Sequence, residues 1–208
     1  MNGGSCRLSS AHRESIKALL QQQDGPLFEG DMIGIDPLMI PQSSDRVMHN
    51  GLRDERRHWH GGVVPFIWAE DYYTDHQRAQ IRRAMDGIEH FTCVRFIESS
   101  RRTAKDFVYI FPGTGCFSDV GRKGRAQRLS LRLDCLSIGT IQHELMHVLG
   151  FLHEQSRSDR DDYIEIVTEN IAKDREGLHD LEEDDRPSGR PSDRGRGMPE
   201  RSSAWEPG

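Results

Sequence analysis

The sequence lacks several features that would place the protein in a broad class. It has no run of about 18 apolar residues, so it predicts no membrane span. It has no excess of positive charge, since 28 basic and 34 acidic side chains give a net charge of −6. That balance argues against a general nucleic-acid binder, which needs a basic surface. The first residues carry no apolar signal core, and no internal repeat is visible.

Cysteine is also scarce, with 4 residues in the chain: Cys6, Cys93, Cys116 and Cys135. This number is too small for a disulfide-rich scaffold. Because no C-x-x-C pair occurs, a zinc ribbon and a thioredoxin motif have no support. Taken alone, the residues are compatible with one or two disulfides, with free thiols or with a metal site, so the cellular compartment stays open.

Composition divides the chain into three parts. Residues 1–49 hold a short helical pattern at 10–23, followed by a Gly-Pro break and further prolines, which predicts a leader with little core of its own. Residues 50–172 have the periodicity of a globular domain. Residues 173–208 begin with an acidic run and continue with Arg, Pro, Gly and Ser, which predicts a disordered charged tail.

The central part predicts an α+β fold. Four segments have strand patterns: 63–68, 93–97, 107–111 and 128–133. Pro65 within the first of them favours an edge position or a bulge. Thr74 and Gln77 have the spacing of a capping box before a helix whose apolar face recurs at helical intervals. A strongly apolar helix is predicted at 138–149.

That apolar helix carries the pattern H-E-x-x-H-x-x-G-x-x-H. His143 and His147 share one helix face, so both imidazoles can bind one Zn²⁺. Glu144, next to the first of them, can reach a water on the metal without ligating it. Gly150 permits a turn that ends the helix and brings His153 back as a third ligand. The alternative is a buried helix whose histidines have no role in metal binding. In a chain of this length and composition, however, the full pattern arises by chance with a probability of roughly 1 in 6,000.

The pattern and its continuation resemble the astacin family of zinc endopeptidases. Three further features of that family are present: Phe151 after the glycine, Glu154 after the third histidine, and R-x-D-R-D at 157–161. The resemblance also covers 61–66, 92–96 and 115–122, and in total about residues 50–172.

This resemblance implies the N-terminal subdomain of a metzincin, an α+β unit whose twisted mixed sheet packs with a capped helix and an active-site helix. It implies one zinc ion per subunit, bound by His143, His147 and His153, with Glu144 as the catalytic base. It further implies secretion and a protein or peptide substrate. The substrate backbone would bind in extended form to an edge strand near residues 125–128.

A second match lies upstream, where F-E-G-D at 28–31 resembles the F-x-G-D of astacin pro-segments. In that family the aspartate, here Asp31, ligates the zinc and displaces the catalytic water, although four such residues also suit an ordinary turn. The resemblance implies a latent zymogen, with residues 1–49 as pro-segment and cleavage between about Val47 and Arg53. Glu154 is then the residue that meets the new N-terminus; a solvated carboxylate is the alternative.

The resemblance also implies which cysteines are paired. It implies a disulfide between Cys116 and Cys135 and leaves Cys93 without its family partner, since no cysteine follows Cys135.

Beyond Ile171 the resemblance stops. No Met-turn of the form S-x-M-H-Y follows, and the only methionine after His153 is Met198. The sequence therefore predicts that the C-terminal subdomain is missing, through an incomplete gene sequence or an alternative transcript. Two alternatives to a secreted peptidase remain: a truncated zinc-binding isoform that is catalytically impaired, misfolded or a decoy, and an intracellular metal-binding protein without proteolysis.

Overall fold

A computed structural model describes residues 16–19, 27–35, 50–99, 105–157 and 159–171. In these ranges the strands are β1 (Met32–Ile33), β2 (Val63–Trp68), β3 (Arg95–Glu98), β4 (Phe107–Phe111), β5 (Cys116–Asp119) and β6 (Ala126–Leu131). The two longer helices are α1 (Asp75–Phe91) and α2 (Ile138–Leu149), and several short 3-10 helices lie in the connecting segments of the described ranges. Among the described residues, no helix has the length and apolar character needed to cross a bilayer.

The six strands form one twisted sheet in the order β1-β5-β6-β4-β2-β3. β5 and β6 are antiparallel, and every other neighbouring pair is parallel. The mixed sheet and its two helices confirm the predicted α+β class. The predicted helix at 138–149 has the bounds of α2, whereas the predicted strands at 93–97 and 128–133 begin two residues away from β3 and β6.

Helix α1 begins where its local sequence predicts. Thr74 Oγ1 accepts the Gln77 N–H at 3.3 Å, and the Gln77 side chain accepts the Thr74 N–H at 2.8 Å, which completes a capping box. The buried residues of the helix are the four at helical spacing: Ile81, Ala84, Met85 and Ile88. This face packs against one side of the sheet together with α2, so that the main core lies between the helices and β2, β4 and β6.

Pro65 does not lie in an edge strand, contrary to the sequence expectation, because β2 lies between β3 and β4. The Phe66 carbonyl accepts the Ser99 N–H at 2.8 Å on the β3 side. Neighbouring residues of a strand turn their polar groups to opposite sides, so the donor that Pro65 lacks faces β4. The β2–β4 pairing begins only at Phe66, opposite Val108, and the missing N–H therefore falls just outside the ladder.

The opposite face of the sheet carries a second apolar cluster, covered by the helical residues 16–19. Ile16 and Leu19 are buried there, with 7% and 5% of their surface exposed. Their partners on and beside the strands are Ile67, Ala69, Phe107, Tyr109 and Ala126. The N-terminal segment, expected to have little core of its own, thus adds to a cluster on the domain. The rest of the helical pattern at 10–23 and the predicted tail at 173–208 lie outside the described residues.

A disulfide between Cys116 and Cys135 is present, as the family resemblance implied, with the two Cα atoms 5.7 Å apart. It ties the start of β5 to the turn before α2, and Cys135 is fully buried. Cys93 is free and exposed.

We expect the double variant Cys116→Ser/Cys135→Ser to lose about 3 kcal/mol of unfolding free energy, because the bridge closes a loop of moderate length in the unfolded chain. Urea unfolding followed by tryptophan fluorescence measures the loss. Cys93→Ser is the matched control, and its effect should stay within about 0.5 kcal/mol. Equal stability of the double variant and this control would contradict the prediction.

Candidate metal centre

Helix α2 presents His143 and His147 one turn apart on the same face. Its other face carries Ile141, Leu145 and Val148, all at most 1% exposed and packed in the main core. At its start, Ser137 Oγ accepts the Thr140 N–H at 3.1 Å. The apolar contacts on one side therefore hold the two imidazoles in place on the other.

A sharp turn at Gly150 ends α2 and returns the chain towards the same face. Gly150 has φ = 103°, in the left-handed region where a side chain is strained. The His147 carbonyl accepts the N–H groups of Gly150 and Gly121, both at 2.8 Å. His153 follows three residues after the turn and is 8% exposed.

Four side chains converge at this point: Asp31, His143, His147 and His153. The Nε2 atom of His143 lies 3.1 Å from Nε2 of His147 and 3.1 Å from Nε2 of His153. Asp31 Oδ2 lies 3.1 Å from Nε2 of His143 and 3.2 Å from that of His153. Tetrahedral zinc with bonds of about 2.0–2.1 Å has its ligand atoms about 3.3–3.4 Å apart, so the four side chains fit this metal.

The second ring nitrogens fix the tautomers of two of these histidines. His147 Nδ1 donates to the Phe151 carbonyl at 2.8 Å, and His153 Nδ1 donates to Glu29 Oε2 at 2.6 Å. With the proton on Nδ1, each Nε2 keeps its lone pair towards the centre of the cluster. The arrangement is that of imidazoles prepared to bind a metal.

Glu144 lies between the two helix histidines in sequence and is 1% exposed. Burial raises the pKa of its carboxyl to about 8; the negative charge of Asp31 acts in the same direction, and His153 opposes both. Among the described residues, Glu144 Oε2 has no hydrogen-bond partner. The group is therefore a buried carboxyl with a free oxygen, beside the metal-binding cluster.

Asp31 reaches the cluster because the N-terminal segment forms a tight loop there. Phe28 and Met32 exchange backbone hydrogen bonds of 2.9 and 3.1 Å across it, and the Ser118 N–H donates to the Asp31 carbonyl at 2.9 Å. Burial alone would raise the pKa of the Asp31 carboxyl, but its hydrogen bonds to the three histidines lower the pKa well below the usual range. The structure thus brings together all four residues that the sequence singled out as metal ligands.

The segment at 125–128, expected to form an edge strand that binds the substrate backbone, does not lie at an edge of the sheet. Residues 126–128 belong to β6, which is paired with β4 on one side and with β5 on the other. The strand at the metal side of the sheet is β5, and its outer edge pairs in parallel with β1 of the N-terminal segment, Met32 opposite Ser118. The expectation of an edge strand near 125–128 is therefore wrong, because pairing of β5 with β6 is not visible from local sequence.

Glu154 lies beside residue 50, near the expected cleavage region. Asn50 Nδ2 donates to Glu154 Oε1 at 2.8 Å, and Arg157 Nη1 donates to Oε2 at 3.2 Å. The backbone of residues 50–52 is already paired with 150–152, since the Leu152 N–H donates to the Asn50 carbonyl at 2.8 Å. Sequence reasoning missed Asn50 and Glu29, and only the second had a signal, its place inside the F-E-G-D motif.

Comparisons with known proteins give one consistent result. Residues 51–188 match the family model described as Astacin, a peptidase family. Zinc metalloproteinase nas-4 of Caenorhabditis elegans is 36% identical over 147 residues, which cover 71% of this chain and 46% of that protein. High choriolytic enzyme 1 of Oryzias latipes is 47% identical over 111 residues, covering 52% of this chain and 40% of that protein.

The solved structure of high choriolytic enzyme 1, described as a hatching enzyme zinc-protease, matches with a TM-score of 0.56 and 37% identity. The match covers 62% of this chain and 68% of the solved chain. In both sequence comparisons the matched region spans less than half the length of the curated relative.

Proposed function

Because the chain belongs to the astacin family of peptidases, we propose that it is a zinc-dependent metalloendopeptidase, made as a latent zymogen and secreted. The enzymes of this family are zinc metalloendopeptidases with one zinc ion, and their substrates are proteins or peptides. The observation that carries the proposal is the convergence of three imidazole nitrogens and Asp31 Oδ2 within 4.8 Å of one another. The buried disulfide supports an oxidising compartment and hence secretion.

In this proposal His143, His147 and His153 hold zinc through their Nε2 atoms. Zinc, when bound, supplies Lewis acidity that lowers the pKa of a water molecule and polarises the scissile carbonyl. The Glu144 carboxylate accepts a proton from the attacking water at Oε2 and returns it to the leaving amine. Its burial keeps bulk water away from the proton, and its position next to His143 on α2 keeps it at the site.

Latency follows from two contacts of the N-terminal segment. The Asp31 carboxylate fills the corner of the cluster that a peptidase needs for water and substrate. Strand β1 also covers the outer edge of β5, where an extended substrate would add its own strand. One segment thus blocks both the metal and the substrate backbone.

Activation requires a cut ahead of the paired residues 50–52, within the expected region between Val47 and Arg53. A cut just before Asn50 leaves that pairing intact and creates an ammonium group next to Glu154. The carboxylate of Glu154 can then bind the new N-terminus in place of the Asn50 amide.

We expect Asp31→Ala to make the uncut chain active. The rate of hydrolysis of denatured casein should be at least about 10-fold higher than that of the unmutated uncut chain. This factor corresponds to a loss of about 1.4 kcal/mol in the binding free energy of the inhibitory segment. Zinc should stay bound, because three imidazoles remain. Asp75→Ala, at an exposed position in the first turn of α1, is the control and should change nothing. An unchanged rate for Asp31→Ala with zinc retained would mean that Asp31 alone is not the switch and that the pairing of β1 with β5 is sufficient for latency.

A further inference from the structure

His153 is held at both ring nitrogens by one short loop of the N-terminal segment. Asp31 Oδ2 lies 3.2 Å from Nε2, and Glu29 Oε2 lies 2.6 Å from Nδ1. The Glu29 side chain is only 9% exposed, and that of His153 8%. The two carboxylates therefore approach opposite edges of the same buried imidazole.

The backbone of residues 29 and 30 is in the left-handed conformation, which places the Glu29 and Asp31 carboxylates on either side of the His153 ring. Glu29 has φ = 51° and Gly30 has φ = 97°, and both values lie in the left-handed region. Such a conformation is strained at a residue with a side chain, which here is Glu29. The backbone bridge between Phe28 and Met32 closes the loop and keeps both carboxylates on one side of it.

Glu29 is fixed from a second direction as well. Ser156 Oγ donates a hydrogen bond to Glu29 Oε1, while Oε2 accepts the proton of His153 Nδ1. His153 and Ser156 belong to the same short turn after α2. The Glu29 carboxylate thus bridges two residues of that turn, and each of its oxygens is engaged.

We propose that Glu29 is a positioning residue for the metal site, which it stabilises through His153. A carboxylate that accepts the Nδ1 proton of a ligand histidine fixes its ring and makes Nε2 a stronger donor to the metal. Residues 29–31 then do more than block the site: Asp31 adds a ligand, and Glu29 strengthens one already there. The inference rests on the proposed function, in which His153 binds zinc, and it means that the uncut chain retains zinc more tightly than the activated one.

The test is the zinc affinity of the full-length, uncut chain, measured by competition with a chromophoric chelator. We expect Glu29→Ala to weaken the affinity about 10–100-fold, the usual effect of removing such a partner of a ligand histidine. Glu29→Gln keeps an oxygen acceptor without the charge, so its affinity should lie between those of Glu29→Ala and the unmutated chain. Glu55→Ala changes an exposed glutamate outside the site and should have no effect.

A second readout separates positioning from folding. With Co²⁺ in place of zinc, Glu29→Ala should alter the visible absorption bands, which report the ligand field, while the far-ultraviolet circular dichroism stays unchanged. If Glu29→Ala does not fold, Ser156→Ala is used instead; it releases Glu29 Oε1 and should weaken zinc binding in the same direction by a smaller factor.

The outcomes distinguish this inference from the proposed function. The role of Glu29 would be overturned if the Glu29 and Ser156 variants had the zinc affinity and the Co²⁺ spectra of the unmutated chain. If Asp31→Ala bound zinc more weakly in the same experiment, the zinc site itself would still be supported. Failure of the unmutated chain to bind one zinc ion would overturn the proposed function itself.

Discussion

Once residues 1–49 have been removed by proteolysis, the Glu144→Gln chain should hydrolyse denatured casein about 10²–10⁴ times more slowly than the unmutated chain. Glutamine has nearly the same shape as glutamate, but it cannot accept a proton from water and pass it on. Zinc content should remain at one ion per chain, because Glu144 is outside the cluster of four converging side chains. Initial rates and metal analysis on the same samples measure both quantities.

Glu98→Gln is the control for this experiment, since Glu98 is exposed on β3. Its rate should equal that of the unmutated chain. Equal and robust rates for Glu144→Gln and the unmutated chain would exclude Glu144 as the base. Zinc binding without hydrolysis in any cut chain would instead favour the zinc-binding, catalytically impaired alternative.

His143→Ala should weaken zinc binding by about 10²–10³-fold, because zinc sites with four ligands are worth about 10–16 kcal/mol in total, or roughly 2.5–4 kcal/mol for each ligand. His143 is the suitable ligand for this test, since its side chain is 45% exposed and that of His147 only 2%. Removing the exposed ring opens no cavity in the core, so a lower affinity reports the metal contact alone. Competition with a chelator gives the value.

His76→Ala, exposed near the start of α1, is the matched histidine control. The unmutated chain should also unfold at a higher temperature with zinc than after chelation, because the metal binds only the folded cluster. This shift should nearly vanish in His143→Ala and persist in His76→Ala. A full shift in both variants would mean that zinc binds elsewhere.

Features set by local sequence were predicted well. Thr74 and Gln77 start α1 through hydrogen bonds within a few residues, and the bounds of α2 follow from its apolar run and from Gly150. The three histidines were found for the same reason, since their spacing along one helix and its turn already determines that they meet.

Features set by strand order were not predictable in this way. Both β2, which contains Pro65, and β6 lie in the interior of the sheet because of the strands they pair with. The alternation of apolar residues within one strand does not determine which strands will be its neighbours. Glu29 lies 124 residues before its partner His153, and Asn50 lies 104 residues before Glu154. Such contacts depend on the path of the N-terminal segment, which no periodicity reveals.

Through the buried side chains of Ile16 and Leu19, the helical residues 16–19 give the N-terminal segment a second contact with the domain, on the face of the sheet opposite the metal-binding cluster. The contact at residues 16–19 and the contact at residues 29–33 are joined by a short segment, so together they behave as a bivalent ligand. While one contact is bound, the other rebinds at a high effective concentration. In the proposed zymogen a single cut near residue 49 would break neither contact, so we expect the severed piece to stay bound as a product inhibitor. On that proposal, full activity would require a further cut between residues 19 and 27, which turns one bivalent inhibitor into two weaker monovalent ones.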